Sequence, residues 1–265
     1  MHKDSVVGTL VVALLVCVFC SLLVSGAAVS LKDRQAINKA LDIKKNLLLA
    51  SGLITEDEAT PEHIEKTFAT IRSELVYLET GQVVTDVDTA TFDQRKAAKD
   101  SKQNTLIASN IDTAGIKRRS KIATVYTVQD KASGQPQMYI FPVHGKGLWS
   151  TMYGFLALDQ NFDKIKGIGF YEHAETPGLG GEVDNPKWKA SWNGKKLFDD
   201  DLDVKLKVVK GSVSPNTKNK DYKIDGLSGA TITSNGVTGL VRYWFGKDGF
   251  GPYIQSRIDG KGLER

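Results

Sequence analysis

A long apolar run near the N-terminus is the feature that most constrains this chain. Residues 6–24 are almost wholly apolar, and about 20 such residues in a helix span the hydrocarbon core of a bilayer. A cleavable signal peptide is the alternative, because the small residues 25–28 resemble a cleavage site. The apolar run, however, exceeds the roughly 7–15 residues of a signal core, and Lys3, offset by Asp4, is the only basic residue before it other than histidine. The sequence therefore predicts a retained, single-pass anchor that contacts membrane lipid through residues 6–24.

The charges that follow the anchor bear on its orientation. Basic residues are frequent here, with two acidic residues among them: Lys32, Arg34, Lys39, Lys44 and Lys45, with Asp33 and Asp42. Taken alone, the positive-inside tendency keeps such a flank in the cytoplasm. The charge pattern by itself thus favours a cytoplasmic location for the rest of the chain.

Charge and cysteine content argue against two classes of function. The chain of 265 residues has a formal net charge of +4 and shows neither a basic stripe nor a stacking-aromatic motif, so nucleic-acid binding is not predicted. Both cysteines, Cys17 and Cys20, lie inside the apolar run, and no second pair or nearby histidine would complete a metal site. The remaining chain suits an exported domain without disulfides.

The segment after the anchor is predicted to be mainly helical. Apolar residues at helical spacing predict a helix over 31–53 that Gly52 ends. Thr55-x-x-Glu58 and Thr60-Pro61-Glu62 are typical helix starts, which predicts a second helix over 61–71. Residues 83–87 are a candidate strand, and the charged stretch 93–110 is predicted to be an exposed loop or surface helix.

Strand-forming runs dominate the part that follows. They are separated by Gly, Pro, Asn and Asp and cover residues 123–128, 138–143, 151–158 and 165–172. Residues 184–188 predict a short capped helix, 204–209 a further strand, and 246–252 an irregular glycine-rich segment. The predicted fold class is α/β, of the α+β kind: a transmembrane helix, then one domain with a curved, mostly antiparallel sheet and flanking helices.

A stretch rich in glycine and hydroxyl groups precedes the last predicted helix. It reads DGLSGATITS from Asp225 to Ser234, and the apolar face of the helix follows it. Glycine permits positive φ and close approach of backbone to a bulky group. The hydroxyls are N-cap candidates, with Thr233 or Ser234 predicted to begin the helix, and a helix N-terminus attracts anions. The residues alone leave two interpretations, a capped helix after a tight turn or an anion-holding functional site.

The segment Asp225-x-x-Ser228-Gly229-Ala230-Thr231 resembles the flavinylation motif of FMN-binding domains in membrane redox complexes. The anchor, the HAETPGLG segment at 173–180, the GLW segment at 147–149 and residues 228–236 extend the likeness. Together they resemble the C subunit of the sodium-translocating NADH:quinone reductases over nearly the whole chain. The resemblance implies that Thr231 carries FMN through a phosphoester bond, that Asp225 belongs to the motif, and that Ser228, Gly229 and Ala230 contact the cofactor.

The loop after the fourth of these strand runs is a second candidate for cofactor contact. His173 and Glu175 could act as acid and base or as metal ligands, but a metal site needs three or four ligands and no others are offered. Neither a metal site nor a catalytic residue beyond the flavin is predicted. The resemblance implies instead that Glu175, Thr176, Gly178 and Leu179 lie against the bound flavin.

The loop at residues 145–150 is the third candidate. Trp149 is either a core residue, as most tryptophans are, or a residue at the pocket rim. The resemblance favours the rim and implies that Leu148 and Trp149 contact the cofactor. Neither loop matches G-x-G-x-x-G after a first strand, so NADH binding by this chain is not predicted.

The resemblance implies an electron-transfer subunit, incomplete as an enzyme alone. Its complex would oxidise NADH, reduce ubiquinone and pump sodium ions out of the cytoplasm, and other subunits would be its partners. A threonine hydroxyl is a poor nucleophile without a base, so the resemblance implies a separate flavin transferase that moves FMN from FAD onto Thr231. The alternatives are the equivalent flavin subunit of an Rnf-type electron transport complex and a non-redox, membrane-anchored binding module.

The resemblance also implies a location and a domain plan. It places the protein in a bacterial inner membrane as a single-pass protein with most of the chain in the periplasm, against the charge pattern. Residues 1–29 would be a cytoplasmic tip and anchor, 30–118 a helical and irregular part, and 119–265 the FMN-binding domain.

Overall fold

The computed structural model describes residues 5–261, and the chain divides into two compact units, Met1–Ile43 and Lys44–Arg265. The tip of the predicted cytoplasmic segment, residues 1–4, lies outside the described residues. So do residues 262–265 of the predicted FMN-binding domain.

Six α-helices and ten strands make up the described chain. The helices are α1 Val6–Ser51, α2 Pro61–Phe68, α3 Gln94–Ala97, α4 Pro186–Ala190, α5 Thr231–Phe245 and α6 Gly251–Lys261. The strands are β1 Ile71–Tyr77, β2 Val83–Val84, β3 Asn104–Leu106, β4 Arg118–Ser120, β5 Ile122–Gln129, β6 Pro136–Lys146, β7 Thr151–Asp159, β8 Ile165–Glu172, β9 Lys207–Val208 and β10 Lys223–Ile224.

The predicted anchor and the predicted helix over 31–53 form one continuous helix, α1. No proline falls in this range to interrupt its backbone hydrogen bonds. The helix ends where predicted, because Gly52 adopts a φ of +69° that favours glycine. Its most apolar stretch has a mean hydropathy of 2.9, so by length and composition α1 can cross a membrane.

The centre of the second unit is a six-stranded sheet in the order β2-β1-β5-β6-β7-β8. Every neighbouring pair in it is antiparallel. The register shifts at Val128/Gln129, Tyr153/Gly154 and Ala157/Leu158, and such bulges bend strands. The predicted mostly antiparallel sheet and its four long strands are confirmed; the small β9–β10 pair is parallel.

Several sequence-based boundaries were wrong. The second helix ends at Phe68 rather than residue 71, because Ile71 begins β1, a strand that the sequence did not predict. The strands predicted at 83–87 and 204–209 shrink to two residues each. The segment 246–252 is not irregular throughout, since α6 begins at Gly251 and buries Tyr253 and Ile254.

Helix α5 packs along β6, and this packing sets the position of the motif before the helix. The Trp244 indole donates a hydrogen bond to the His144 carbonyl oxygen over 2.6 Å. Nearer the start of α5, a Cβ added at Gly145 would lie 2.7 Å from Cβ of Leu240. At Gly236 the helix backbone meets the carbonyl of Lys146. The N-terminus of α5 therefore points toward the loop that leaves β6 at residue 147.

Candidate functional site

Helix α5 begins at Thr231 itself, two or three residues earlier than predicted. The N-cap is Ala230, and no side chain caps the helix, so the predicted hydroxyl cap was wrong. Thr233 and Ser234 lie inside the first turn and are buried, whereas Thr231 is exposed. The first turn therefore combines N–H groups that no side chain caps with a hydroxyl open to solvent.

The turn before α5 is held by hydrogen bonds to the side chain and the carbonyl group of Asp225 and by one from the N–H of Gly226. The Asp225 carboxylate accepts the Val213 N–H over 2.7 Å, and its carbonyl oxygen accepts the Trp188 indole N–H over 2.8 Å. Gly226 donates to the Gly211 carbonyl over 2.7 Å. These bonds give Asp225 a structural role in shaping the turn.

Gly229 adopts a backbone conformation that favours glycine and lies close to a neighbouring side chain. Its φ is +68°, and a Cβ there would lie 2.9 Å from Cδ2 of Leu179. The side chain of Leu179 therefore rests against the turn that leads into Thr231. The loop at 173–180 and the motif at 225–231 meet at this point.

The Glu175 carboxylate connects three segments of the site. It accepts the N–H groups of Leu148 (3.0 Å), Trp149 (2.9 Å) and Ser150 (3.2 Å). It also accepts the Thr233 hydroxyl over 2.6 Å. Glu175 is only 5% exposed, so this carboxylate fastens the loop after β6 to the first turn of α5.

Those contacts also determine the charge state of Glu175. Burial alone would raise its pKa, but hydrogen bonds from the Thr233 hydroxyl and the backbone N–H groups of residues 149, 148 and 150 outweigh burial. The pKa of Glu175 therefore lies below its ordinary value. A carboxylate that stays ionised holds several donors at once, which no neutral side chain of this size does.

Four large apolar side chains near this junction are exposed to solvent. Leu148 is 48%, Trp149 67%, Leu179 44% and Ile232 57% exposed. Each is tied to the start of α5, by the Glu175 carboxylate, by contact with Gly229 or by direct adjacency to Thr231. Exposed apolar groups gathered in this way are typical of a binding surface. We call these four residues the apolar rim.

A groove of about 470 Å³ lies along the motif. Among the predicted site residues, Asp225, Ser228, Gly229 and Thr231 line it. The groove also takes in the segment 208–212 and Asn235, which the sequence did not single out. The sequence could not predict that residues 208–212 line the groove, because β9 comes next to the segment before the motif only through its pairing with β10 in the folded chain.

The other predicted site residues lie outside the lining of that groove. Ala230 is buried, and Thr176 and Gly178 are exposed in the neighbouring loop. Leu148, Trp149 and Leu179 belong to the apolar rim, while the side chain of Glu175 braces the loops.

His173 is engaged in a structural contact. Its Nε2 lies 2.7 Å from the Asp184 carboxylate, and this hydrogen bond raises the pKa of His173 above its ordinary value. Its Nδ1 lies 3.2 Å from the Glu175 N–H. Among residues 5–261, no group of three or more His, Cys, Asp or Glu side chains is placed to hold a metal ion.

Comparison with known proteins connects this geometry to a family. Residues 147–246 match the family model of the FMN-binding domain. That stretch lies within the predicted domain 119–265 and contains the loop after β6, the Glu175 loop and the motif at α5.

Relatives match the chain almost from end to end. A Pseudomonas aeruginosa protein, named as the C subunit of a Na(+)-translocating NADH-quinone reductase, is 43% identical, over 98% of this chain and 99% of its own length. A Haemophilus ducreyi protein of the same name is 45% identical, over 96% of this chain and 95% of its own length.

Solved structures agree with these relatives. The crystal structure of Shewanella oneidensis NqrC superposes with a TM-score of 0.75 at 34% identity, covering 84% of this chain and 99% of that one. These findings favour the quinone reductase over the Rnf-type subunit and the non-redox module. The chain therefore belongs to the family of C subunits of the Na(+)-translocating NADH-quinone reductases, oxidoreductase complexes, and contains an FMN-binding domain.

Proposed function

We propose that this chain is an electron carrier of its complex and that FMN is bound through a phosphoester to Oγ1 of Thr231. The observation that carries the proposal is the exposed Thr231 hydroxyl at the first residue of a long helix that no side chain caps. FMN, when bound, supplies the redox chemistry, and the protein binds and orients it.

The residues present fit such a group. N–H groups in the first turn of α5 attract negative charge, as a phosphate would supply. Lys210 and Ser228 in the lining of the groove add a cation and a hydroxyl within the same space. The apolar rim offers surface for an aromatic ring system, with Leu179 set against Gly229. The apolar and anion-attracting features thus lie next to each other, as an aromatic phosphate requires.

Attachment needs help from another protein. The threonine of the first turn that contacts a carboxylate is Thr233, just after the motif, and its hydroxyl is buried. Among the described residues, Thr231 has no hydrogen bond to a base. We therefore propose a flavin transferase that acts on exposed Thr231. The Thr231 oxygen forms a bond to the FMN phosphorus of FAD, the phosphoanhydride bond breaks, AMP leaves, and the hydroxyl proton is released.

The proposal extends to location. Residues 6–24 would contact lipid in a bacterial inner membrane, with the unit Lys44–Arg265 in the periplasm. A covalent link suits that compartment, because flavin lost there is not readily replaced. The basic residues after the anchor argue for the opposite topology, so this part of the proposal rests on the family.

Denaturing gel electrophoresis tests the attachment. The full chain, produced with its transferase, is expected to show flavin fluorescence after denaturation, and Thr231→Val is expected to abolish it. Thr105→Val is the matched control, since Thr105 is exposed on β3, outside the site. Fluorescent bands of equal intensity in the wild type and Thr231→Val would refute attachment at Thr231. A colourless wild type would refute covalent binding altogether.

A further inference from the structure

A second cavity of about 470 Å³ is lined by positively charged side chains. Its cationic residues come from α3 and the turn after it, from residues 117 and 118 where the loop at 115–117 enters β4, and from the end of β6. We call this set the basic cleft, and its members are Arg95, Lys99, Lys117, Arg118 and Lys146. No carboxylate lines the cavity, and its other lining residues are neutral or histidine.

The acidic side chains near the basic cleft already have partners. The Glu172 carboxylate pairs with both ends of the Arg95 guanidinium, at 2.6 and 2.9 Å. Arg95 in turn lies 3.6 Å from the centre of the Tyr153 ring. The other four cations form no recorded ion pair with a carboxylate anywhere in residues 5–261. These four side chains therefore carry positive charges that no carboxylate of the described residues pairs with directly, and they make the cavity attractive to an acidic ligand.

The loop that supplies two of these cations is held in a strained shape. The Asp112 carboxylate accepts the N–H groups of Ile116 (3.0 Å) and Lys117 (2.7 Å). Lys117 adopts a φ of +62°, which costs a residue with a Cβ about 1–2 kcal/mol. The loop therefore keeps an unfavourable backbone conformation at Lys117, and in that conformation Lys117 and Arg118 line the cavity.

We propose that the basic cleft docks an acidic surface segment of another subunit of the complex. Three of the cations are exposed to solvent and do not enclose a small ligand: Lys117, Arg118 and Lys146. Exposed cations of this kind guide the association of proteins and fix the register of their interfaces. Two aromatic rings line the cavity, Tyr153 and His144, and they are stacked on each other. Arg95 also covers the Tyr153 ring, and His144 also packs against Trp244. That arrangement leaves a nucleotide base little to stack on and favours a protein carboxylate as the ligand.

The basic cleft adjoins the loop that carries part of the apolar rim. Lys146 and Thr151 line the cleft, and the loop between them carries Leu148 and Trp149 of the apolar rim. A subunit docked in the cleft would therefore lie next to the proposed flavin pocket. The inference needs only membership of a multi-subunit complex, so it stands even if Thr231 is not the attachment site.

Site-specific photo-cross-linking in the assembled complex tests the proposal. A photoreactive amino acid replaces Lys117 in the full chain, and a control probe replaces Lys207, which lines a different lysine-rich cavity. Irradiation is done in native membranes at about 0.15 M and about 1 M NaCl, since high salt screens exposed charge pairs. The cross-linked peptide is then identified by mass spectrometry.

The Lys117 probe is expected to capture an Asp- or Glu-rich segment of a co-purifying subunit. The yield should fall about tenfold at high salt or with Arg118→Glu/Lys146→Glu. The equal charge change Lys207→Glu/Lys218→Glu should leave it unchanged. If Arg118→Glu/Lys146→Glu fails to fold, the salt dependence of the wild type decides. Lipid adducts alone, no adduct, a salt-insensitive adduct, or an equal yield from Lys207 would overturn the proposal.

Discussion

Replacing Glu175 with glutamine tests how the site is held together. The amide keeps the shape of the side chain but turns one acceptor oxygen into a donor NH₂. At the Oε1 position that NH₂ would oppose two N–H groups, those of Trp149 and Ser150. At the Oε2 position it opposes only the Leu148 N–H, because the Thr233 hydroxyl can rotate to accept. The amide should therefore settle with its nitrogen at the Oε2 position.

The size of the effect follows from this geometry. The partly buried Leu148 N–H loses its acceptor, and the remaining bonds to Glu175 lose their charge assistance, which together cost about 2–3 kcal/mol. For a unit of this size the melting temperature should fall by roughly 4–12 °C. The assay is thermal unfolding of the full chain in detergent at neutral pH. The matched control is Glu182→Gln, whose carboxylate accepts a single recorded bond, from Asn185 Nδ2, and it should lose less than about 1 kcal/mol.

The pH dependence supplies a second readout. The folded-state pKa of Glu175 is lowered, so its stabilising contribution is complete above the unfolded-state pKa near 4.5. That contribution is lost as pH falls through the lowered folded-state value. The difference between wild type and Glu175→Gln should therefore shrink as the pH falls below about 4.5. Equal melting temperatures at neutral pH, or a difference that grows in acid, would refute this account of Glu175.

Three other substitutions follow from the same contacts. Trp149→Ala should change the free energy of unfolding by less than about 0.5 kcal/mol, since the side chain is largely exposed, yet it should shift the flavin absorption spectrum. An unchanged spectrum would refute contact between Trp149 and the flavin. Gly147→Ala should destabilise by about 1–3 kcal/mol, because its Cβ would lie 2.5 Å from Oε1 of Glu175. Gly260→Ala, with open space around it, is the control in the same melts. Thr231→Val should change the free energy of unfolding by less than about 0.5 kcal/mol, since Thr231 is exposed. A large loss of stability would show that the hydroxyl has a structural role.

Sequence patterns predicted the elements that local chemistry determines. Strands β5 to β8 follow from strand-forming runs between Gly, Pro, Asn and Asp, and all four lie close to their predicted bounds. The end of α1 follows from Gly52. By contrast, β1 has a weak local pattern and owes its existence to pairing with β5, about 50 residues later in the chain.

Only part of the candidate site could be predicted from the sequence. The turn at Gly229 could be anticipated from small residues before an apolar helical face, whereas Thr231 was singled out by the resemblance to the flavinylation motif. The role of the Glu175 carboxylate could not, because its partners lie 25 to 27 residues earlier and 58 residues later. The local pattern predicts Thr233 or Ser234 as the cap, but in the fold their hydroxyls serve Glu175 and the Leu227 N–H. Contacts between distant segments carry no local signal in a single sequence.

Mass spectrometry of one tryptic peptide tests the central proposal most directly. Cleavage after Lys223 and Arg242 releases residues 224–242, which contain Thr231. In protein made together with its flavin transferase, we expect this peptide to gain the mass of FMN less one water, with fragmentation placing the addition on Thr231. An unmodified peptide, or an addition localised to Ser228 or Thr233, would contradict the account.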